Sequence, residues 1–131
     1  MLFSGSRRQA PSPLEQIVLN YLWEHPDSTA EACREGLAPE RRLKDSTIRT
    51  VLRSLEHKGF VTHVLDGRTF IYRAADSRRD VAVEAAKQLI DRFCRGSVEE
   101  LLVGLVDKQM LQPAQLERLA KKIAERKEKN K

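Results

Sequence analysis

Hydrogen-bond donors recur along one side of the segment Asp45–Lys58. They are the hydroxyl and guanidinium groups of Thr47, Arg49, Thr50, Arg53 and Ser54, with almost no acid among them. Arginine forks and threonine hydroxyls are suited to binding phosphate oxygens and the hydrogen-bonding edges of bases. A further arginine, Arg68, follows in a predicted turn. The chemistry that these residues predict is the recognition of a nucleic acid.

The other side of the same segment is apolar. Branched aliphatic residues recur at positions i, i+3, i+4 and i+7, namely Ile48, Val51, Leu52 and Leu55. This spacing predicts an amphipathic helix that buries its aliphatic side and turns its donors outward. Asp45 is predicted to cap the first turn, and Gly59 to end the helix in a left-handed conformation.

Beyond Gly59 the apolar period shortens to that of β-strands, and Asp66-Gly67 is a tight-turn signal. A two-stranded hairpin is therefore predicted, with Arg68 at its tip, where it would reach the backbone or the minor groove of DNA. A donor-covered helix followed by a hairpin is the arrangement by which a winged helix-turn-helix meets DNA. The alternative is a solvated helix and a small sheet in an ordinary α+β domain.

Docked in this way, the helix would enter the major groove. Thr47 and Thr50 are then the candidates for contacts to base edges. Arg49 and Arg53 would bind phosphates or guanine, and Ser46 a phosphate near the start of the helix.

Two earlier helices must hold this segment in place. Proline at the first helical position and the apolar periodicity predict a helix over about Pro13–His25, and a second is predicted over about Ala30–Leu37. The predicted winged helix domain spans residues 13–75. It follows a polar, proline-containing segment over residues 1–12, which is predicted to be a flexible arm.

Beyond residue 75 the pattern predicts helices only, as far as a basic tail. Their apolar stripes include Leu89, Phe93, Leu101, Leu105, Leu116 and Ile123. Three thin helices cannot bury a sufficient core alone, so residues 76–131 are predicted to form a homodimer; folding back on the first domain is the alternative. The predicted fold class is mainly α with a small β hairpin: an N-terminal winged helix-turn-helix and a C-terminal helical dimerisation domain.

Charge is distributed unevenly along the chain, whose net charge is +5. Residues 13–40 contain one basic and six acidic residues, whereas residues 41–73 contain eight basic and three acidic ones. Folding can therefore direct the basic segment toward a phosphate backbone while the acidic segment faces away.

Other chemistries find little support. The three histidines are scattered, no glycine-rich phosphate loop follows a strand, and no nucleophile stands beside a base, so no enzyme is predicted. Cys33 and Cys94 fit reduced structural thiols, and no metal or other cofactor is expected. No apolar run approaches the roughly 18 residues of a membrane span, so no membrane insertion is expected, and the absence of an export signal predicts the cytoplasm.

Several short motifs, in this order and spacing, resemble the BlaI/MecI penicillinase-repressor family. The motifs are Leu14-Glu15, Leu22-Trp23, Ser46–Thr50, Leu55-x-x-Lys58-Gly59-Phe60, Gly67-Arg68, Phe70-x-Tyr72, Gly96-Ser97 and Leu105-Val106. The resemblance implies a homodimeric winged-helix repressor that binds palindromic double-stranded operator DNA. It also implies a membrane-bound sensor protease as a partner, with induction ending in cleavage of the repressor's dimerisation region.

The segment that matches the family's cleavage region is Leu101–Val106, with Val103, Gly104 and Leu105 as the candidate cleavage residues. A glycine weakens a helix by roughly 0.5–1 kcal/mol relative to alanine. It could ease local opening for a protease, or permit close packing between subunits, which is favoured because no partner protease is visible in the sequence. The tail lacks the cysteines of copper-responsive relatives, so copper sensing is not expected. The competing function is a winged-helix protein-interaction module, which would expose aromatic or leucine side chains on the same face.

Overall fold

Six helices and one antiparallel hairpin make up the part of the chain that the computed structural model describes, residues 8–129. The elements are α1 Pro13–Glu24, α2 Ala30–Leu37, α3 Asp45–Lys58, β1 Val61–Asp66, β2 Thr69–Ala74, α4 Arg78–Phe93, α5 Val98–Asp107 and α6 Pro113–Lys129. The predicted fold class, mainly α with a small hairpin and an N-terminal winged helix-turn-helix, is confirmed. Most of the predicted arm, residues 1–7, lies outside the described residues.

The chain divides into two compact units, the first ending at Ala86 and the second beginning at Lys87. The first unit contains α1 to α3, the hairpin and the beginning of α4. Val81 and Glu84 of α4 are buried in it. The winged helix core therefore extends past residue 75, because two residues of α4 help to close it.

The core of the first unit forms where α1, α2 and α3 meet the hairpin. The four predicted aliphatic residues of α3 are all buried, as are Val18, Leu19 and Leu22 of α1. Burying each such side chain stabilises the fold by roughly 1.5–3 kcal/mol. Because this face of α3 is fully occupied, its other face must point outward.

Helix α3 begins one residue earlier than a cap at Asp45 would allow. Lys44 occupies the N-cap position in an extended conformation and makes no side-chain capping bond, while Asp45 is the first helical residue. The prediction that Asp45 caps α3 is therefore wrong, because its carboxylate instead accepts a hydrogen bond from Arg49, one turn along the helix. Gly59 ends the helix with φ +90°, a left-handed conformation that costs glycine little.

The hairpin pairs Val61 with Ala74 at its base and Asp66 with Thr69 at its tip. Its two-residue turn places Gly67 at φ +65°, the conformation that glycine provides at the first central position of a type II′ turn. Two backbone hydrogen bonds between Ser28 and Tyr72, of 3.0 and 2.8 Å, tie β2 to the segment that leads into α2. The hairpin, called the wing below, is thus fixed at its base and free at its tip.

The second unit consists of thin amphipathic helices with an open apolar surface. No residue between 87 and 129 is buried in the single chain. Leu102, Val103, Val106 and Leu116 line a shallow cleft of about 310 Å³ on α5 and α6. Among the described residues, no helix is long and apolar enough to cross a membrane.

Candidate nucleic-acid interface

A groove of about 540 Å³ runs between the outer face of α3, the beginning of α2 and the wing. The residues that line it are Thr29, Ala30, Glu31, Arg49, Arg53, Glu56, Arg68, Thr69, Phe70 and Tyr72. The buried stripe of α3 fixes one wall, and the backbone bonds between Ser28 and Tyr72 hold the opposite wall beside the beginning of α2. We call this feature the α3–wing groove.

Three of the predicted site residues meet in the α3–wing groove. Arg49 and Arg53 project into it from α3, and Arg68 reaches it from the tip of the wing. All three side chains are exposed. Three permanent positive charges on one concave surface attract phosphate groups.

The hydroxyl residues lie along the same helix but outside the groove lining. Ser46 and Thr50 are exposed, and Thr47 is half-buried. Ser54, predicted to face outward with the donors, does not: its hydroxyl donates a 2.5 Å hydrogen bond to Glu15 Oε2 of α1. The prediction for Ser54 is wrong because a carboxylate on a neighbouring helix, not helical periodicity, decides where this side chain points.

Two carboxylates lie beside these donors, although the sequence predicted a face with almost no acid. Asp45 Oδ2 accepts a 2.9 Å hydrogen bond from Arg49 Nε. This hydrogen bond, together with the electrostatic attraction of the Asp45 carboxylate, raises the pKa of Arg49 above its already high ordinary value. Glu31 lies in the groove lining and pairs with Arg34 on α2.

His63 connects helix α3 to the wing. Its Nδ1 lies 2.6 Å from Glu56 Oε2, and its ring stacks on Phe70 with ring centres 4.0 Å apart. Tyr72 is the next ring along the wing, 5.7 Å from His63. The contact with Glu56 joins α3 to β1, and the ring contacts join β1 to β2, so no periodicity within one element indicates them.

Glu15 of α1 is a buried carboxylate that contacts the side of α3 opposite the groove. Its Oε1 accepts from Lys58 Nζ at 2.6 Å and from the backbone N–H of Ser12 at 2.8 Å, and its Oε2 accepts from Ser54. Burial alone would raise the pKa of Glu15, but the bonds from Lys58, Ser54 and Ser12 outweigh it and lower the pKa to about 2. The spacing Ser12-x-x-Glu15 is a capping-box signature that could have drawn attention to this residue.

Arg8 fixes the segment before α1 to three other parts of the first unit. Its guanidinium lies 2.7 Å from Glu84 Oε2, 3.0 Å from Asp76 Oδ2 and 2.7 Å from the carbonyl oxygen of Gly59, and it stacks over the ring of Phe60. With only 13% of its side chain exposed, Arg8 supplies the positive charge that the buried Glu84 requires.

The thiol of Cys33 is buried, whereas that of Cys94 is half-buried. Cys33 and Cys94 are both free thiols, and burial raises the pKa of Cys33 to about 11, so it stays protonated near neutral pH. Within residues 8–129, no three histidine, cysteine or acidic side chains are placed to hold a metal ion.

Comparison with known proteins shows the family to which the chain belongs. The family model described as penicillinase repressor matches residues 11–125. This chain belongs to the penicillinase repressor family. Its relatives include the methicillin resistance regulatory protein MecI of Mammaliicoccus sciuri, which is 27% identical over 108 residues, or 82% of this chain and 88% of MecI. The penicillinase repressor of Bacillus licheniformis is 22% identical over 92% of this chain and 94% of its own.

Solved structures similar to this family member include the DNA-binding domain of the repressor BlaI. That solution structure is 27% identical, covers 56% of this chain and 92% of its own, and has a TM-score of 0.49. The complex structure of hsRosR-SG is 18% identical, covers 93% of this chain and 95% of its own, and has a TM-score of 0.52, a likeness of fold alone.

In this member of the penicillinase repressor family, the residues predicted for dimerisation lie on the three C-terminal helices, α4, α5 and α6. Leu89, Phe93 and Ile123 are exposed in the single chain, while Leu101, Leu105 and Leu116 are half-buried. In the predicted cleavage region, Val103 and Gly104 are exposed and Leu105 is half-buried, all within helix α5.

Proposed function

We propose that this protein is a homodimeric transcriptional repressor that binds a palindromic operator through its α3–wing groove. The observation that carries the proposal is the meeting of Arg49, Arg53 and Arg68 on one concave surface, in a member of a repressor family. Its relatives are named as regulators and repressors rather than enzymes.

In the proposed complex, α3 lies in the major groove of the DNA. Thr47 and Thr50 face base edges, and Ser46 binds a phosphate near the beginning of the helix. Arg49 and Arg53 bind phosphates or guanine, and Arg68 reaches the backbone or the minor groove from the wing. The exposure of Ser46, Thr50 and all three arginines supports this docking, since none must leave a packed position to meet DNA.

Dimerisation would take place through the second unit. Phe93 is 73% exposed and Ile123 48% exposed in the single chain, and no residue of this unit as far as Lys129 is buried. A second copy would supply the missing apolar partners. A two-fold dimer also presents two recognition helices to the two halves of a palindrome.

Release of the repressor is proposed at Val103–Leu105, by a membrane-bound sensor protease, on the strength of the family resemblance. A Cβ added at Gly104 would meet no atom within 4 Å, so packing within the single chain does not require a glycine there. Gly104 therefore serves either local opening of α5 or close contact with a second subunit.

One observation favours the second candidate function, a protein-interaction module. Leu65 and Phe70 are exposed at the tip of the wing, the kind of side chains that such a module would present. The DNA-binding proposal is preferred because Arg68 stands at the same tip and shares the groove with two further arginines.

Replacing Arg68 with alanine tests DNA docking directly. Each phosphate that the protein neutralises contributes a slope of about −0.9 to log K against log salt, because bound counterions are released. Arg68→Ala should therefore flatten the slope by about one unit per subunit, or about two for a dimer on its full site. The probe is a duplex enriched from a random pool by the full-length protein, called the selected duplex below, titrated over a range of salt concentrations.

Arg79→Ala is the matched control, since Arg79 is exposed but does not line the α3–wing groove. It should leave the slope unchanged. A wild-type slope retained by Arg68→Ala would mean that the wing points away from the DNA, and it would favour the interaction module.

Replacing Thr50 with alanine tests base reading. A well-placed base contact is worth roughly 1–3 kcal/mol of discrimination, so Thr50→Ala should reduce the preference for the selected duplex over single-base variants of it by about tenfold. Affinity for unrelated DNA should hardly change. Competition binding measures both quantities, with Thr62→Ala on the outer face of the wing as the control. Equal losses on selected and unrelated DNA would reduce Thr50 to a positioning contact.

A further inference from the structure

Asp45 places a negative charge at the first turn of α3, the end of a recognition helix that approaches base edges. A carboxylate in this position repels phosphates. Its own side chain and that of Arg49 are 56% and 58% exposed, and an exposed ion pair contributes little to folding stability. The helix dipole also favours an acid in the first turn of α3, but neither effect gives a reason for that acid to bind an arginine on the proposed DNA-facing side.

The geometry of the pair supplies one. Asp45 Oδ2 engages Nε, the inner nitrogen of the Arg49 guanidinium, at 2.9 Å. The guanidinium is planar and carries five donors in a fixed fork, so holding Nε restricts the plane in which the two outer nitrogens lie. Those outer nitrogens are the pair that makes bidentate contact with O6 and N7 of guanine.

Arg49 differs in this respect from the other two arginines of the α3–wing groove. Over residues 8–129, Arg53 and Arg68 form no ion pair with a carboxylate of the chain. A flexible, unrestrained arginine binds whichever phosphate is nearest, whereas a restrained one favours a single geometry. Of the three arginines, Arg49 is therefore held by a carboxylate, whereas the other two are not.

We propose that Asp45 is a specificity-determining residue, which positions Arg49 for a guanine edge and weakens its attraction to phosphates. Arg53 and Arg68 are then the phosphate contacts. This inference rests on the proposed DNA-binding function. It goes further by giving Arg49 a role in base recognition and the other two arginines of the groove a role in phosphate binding. Asp45 acts through Arg49 and is a positioning residue.

Asp45→Asn, which keeps the shape of the side chain and removes its charge, is the test variant. The probes are the selected duplex and a scrambled duplex of equal length and composition. Affinity for the scrambled duplex should rise about threefold to tenfold, and the ratio of selected to scrambled affinity should fall about tenfold. The salt slope on scrambled DNA should steepen by about one unit per subunit, as the released Arg49 neutralises a further phosphate.

Two controls separate positioning from simple loss of charge. Glu40→Gln removes one exposed acid from the turn before α3 and should raise both affinities together, leaving their ratio unchanged. In an Arg49→Ala background, Asp45→Asn should no longer change the ratio, because the residue through which it acts is gone. Thermal unfolding confirms that each variant is folded.

The inference is overturned if Asp45→Asn leaves the ratio unchanged, or if it lowers the ratio equally with Arg49 absent. Failure of the proposed function looks different. A wild-type protein that binds the selected and scrambled duplexes equally would remove sequence-specific DNA binding itself, and the role of Asp45 with it.

Discussion

Ile123→Asp should convert the proposed dimer to a monomer, weakening dimerisation at least a hundredfold. Ile123 lies on the apolar stripe of α6 and is 48% exposed in the single chain, so the substitution leaves the fold of the chain intact. In a two-fold interface each substitution occurs twice. A carboxylate buried there without a partner costs several kcal/mol, and each factor of ten in affinity corresponds to about 1.4 kcal/mol.

Sedimentation equilibrium at micromolar concentration measures the effect, with circular dichroism as a check of folding. Lys121→Asp is the matched control: it places the same carboxylate two residues earlier on the polar face of α6 and should leave the dimer intact. A wild-type chain that is monomeric at this concentration, or an Ile123→Asp chain that remains dimeric, would contradict the interface proposed on the second unit.

The same variant links assembly to DNA binding. Two half-sites bound by one dimer gain from the high effective concentration of the second recognition helix, an advantage of about 10²–10⁴. Ile123→Asp should therefore lose this factor on a full palindrome and retain wild-type affinity for a single half-site. The second unit then contributes to repression without touching DNA.

Local features of the chain could be predicted from its sequence. The buried stripe of α3, the left-handed Gly59 and the turn at Gly67 each depend on residues close in sequence, through periodicity and backbone preference. The family resemblance depended on the same local motifs and is confirmed by the match over residues 11–125.

Features that depend on distant residues could not be predicted in this way. Ser54 turns inward because Glu15, on another helix, accepts its hydrogen bond. Asp45 fails as a cap because Arg49 competes for its carboxylate, and the helix begins one residue earlier than a cap at that position allows. The stacking of His63 on Phe70 requires the register of the hairpin as well as its existence. The residues assigned to DNA contact and to dimerisation stay predictions until binding is measured.

Glu15→Gln should destabilise the first unit by about 3 kcal/mol near neutral pH. The carboxylate is only 6% exposed and joins α1 to the back of α3 through Ser54 and Lys58. Glutamine can still accept a hydrogen bond, but it carries no charge to balance the largely buried ammonium group of Lys58. Helix α3 would lose the contact that fixes it to α1.

The pH dependence distinguishes this ion pair from ordinary packing. The pKa of Glu15 is about 2 in the folded chain against 4.5 for a free glutamate, so its stabilisation is complete above pH 4.5 and is lost as the pH falls toward 2. Urea unfolding of both proteins should therefore show a large difference at pH 7 that shrinks progressively below pH 4.5. Glu24→Gln, at an exposed position of the same helix, should change stability by less than about 0.5 kcal/mol. A difference between wild type and Glu15→Gln that stays constant from pH 7 to pH 2.5 would mean that shape, not charge, fixes α1 to α3.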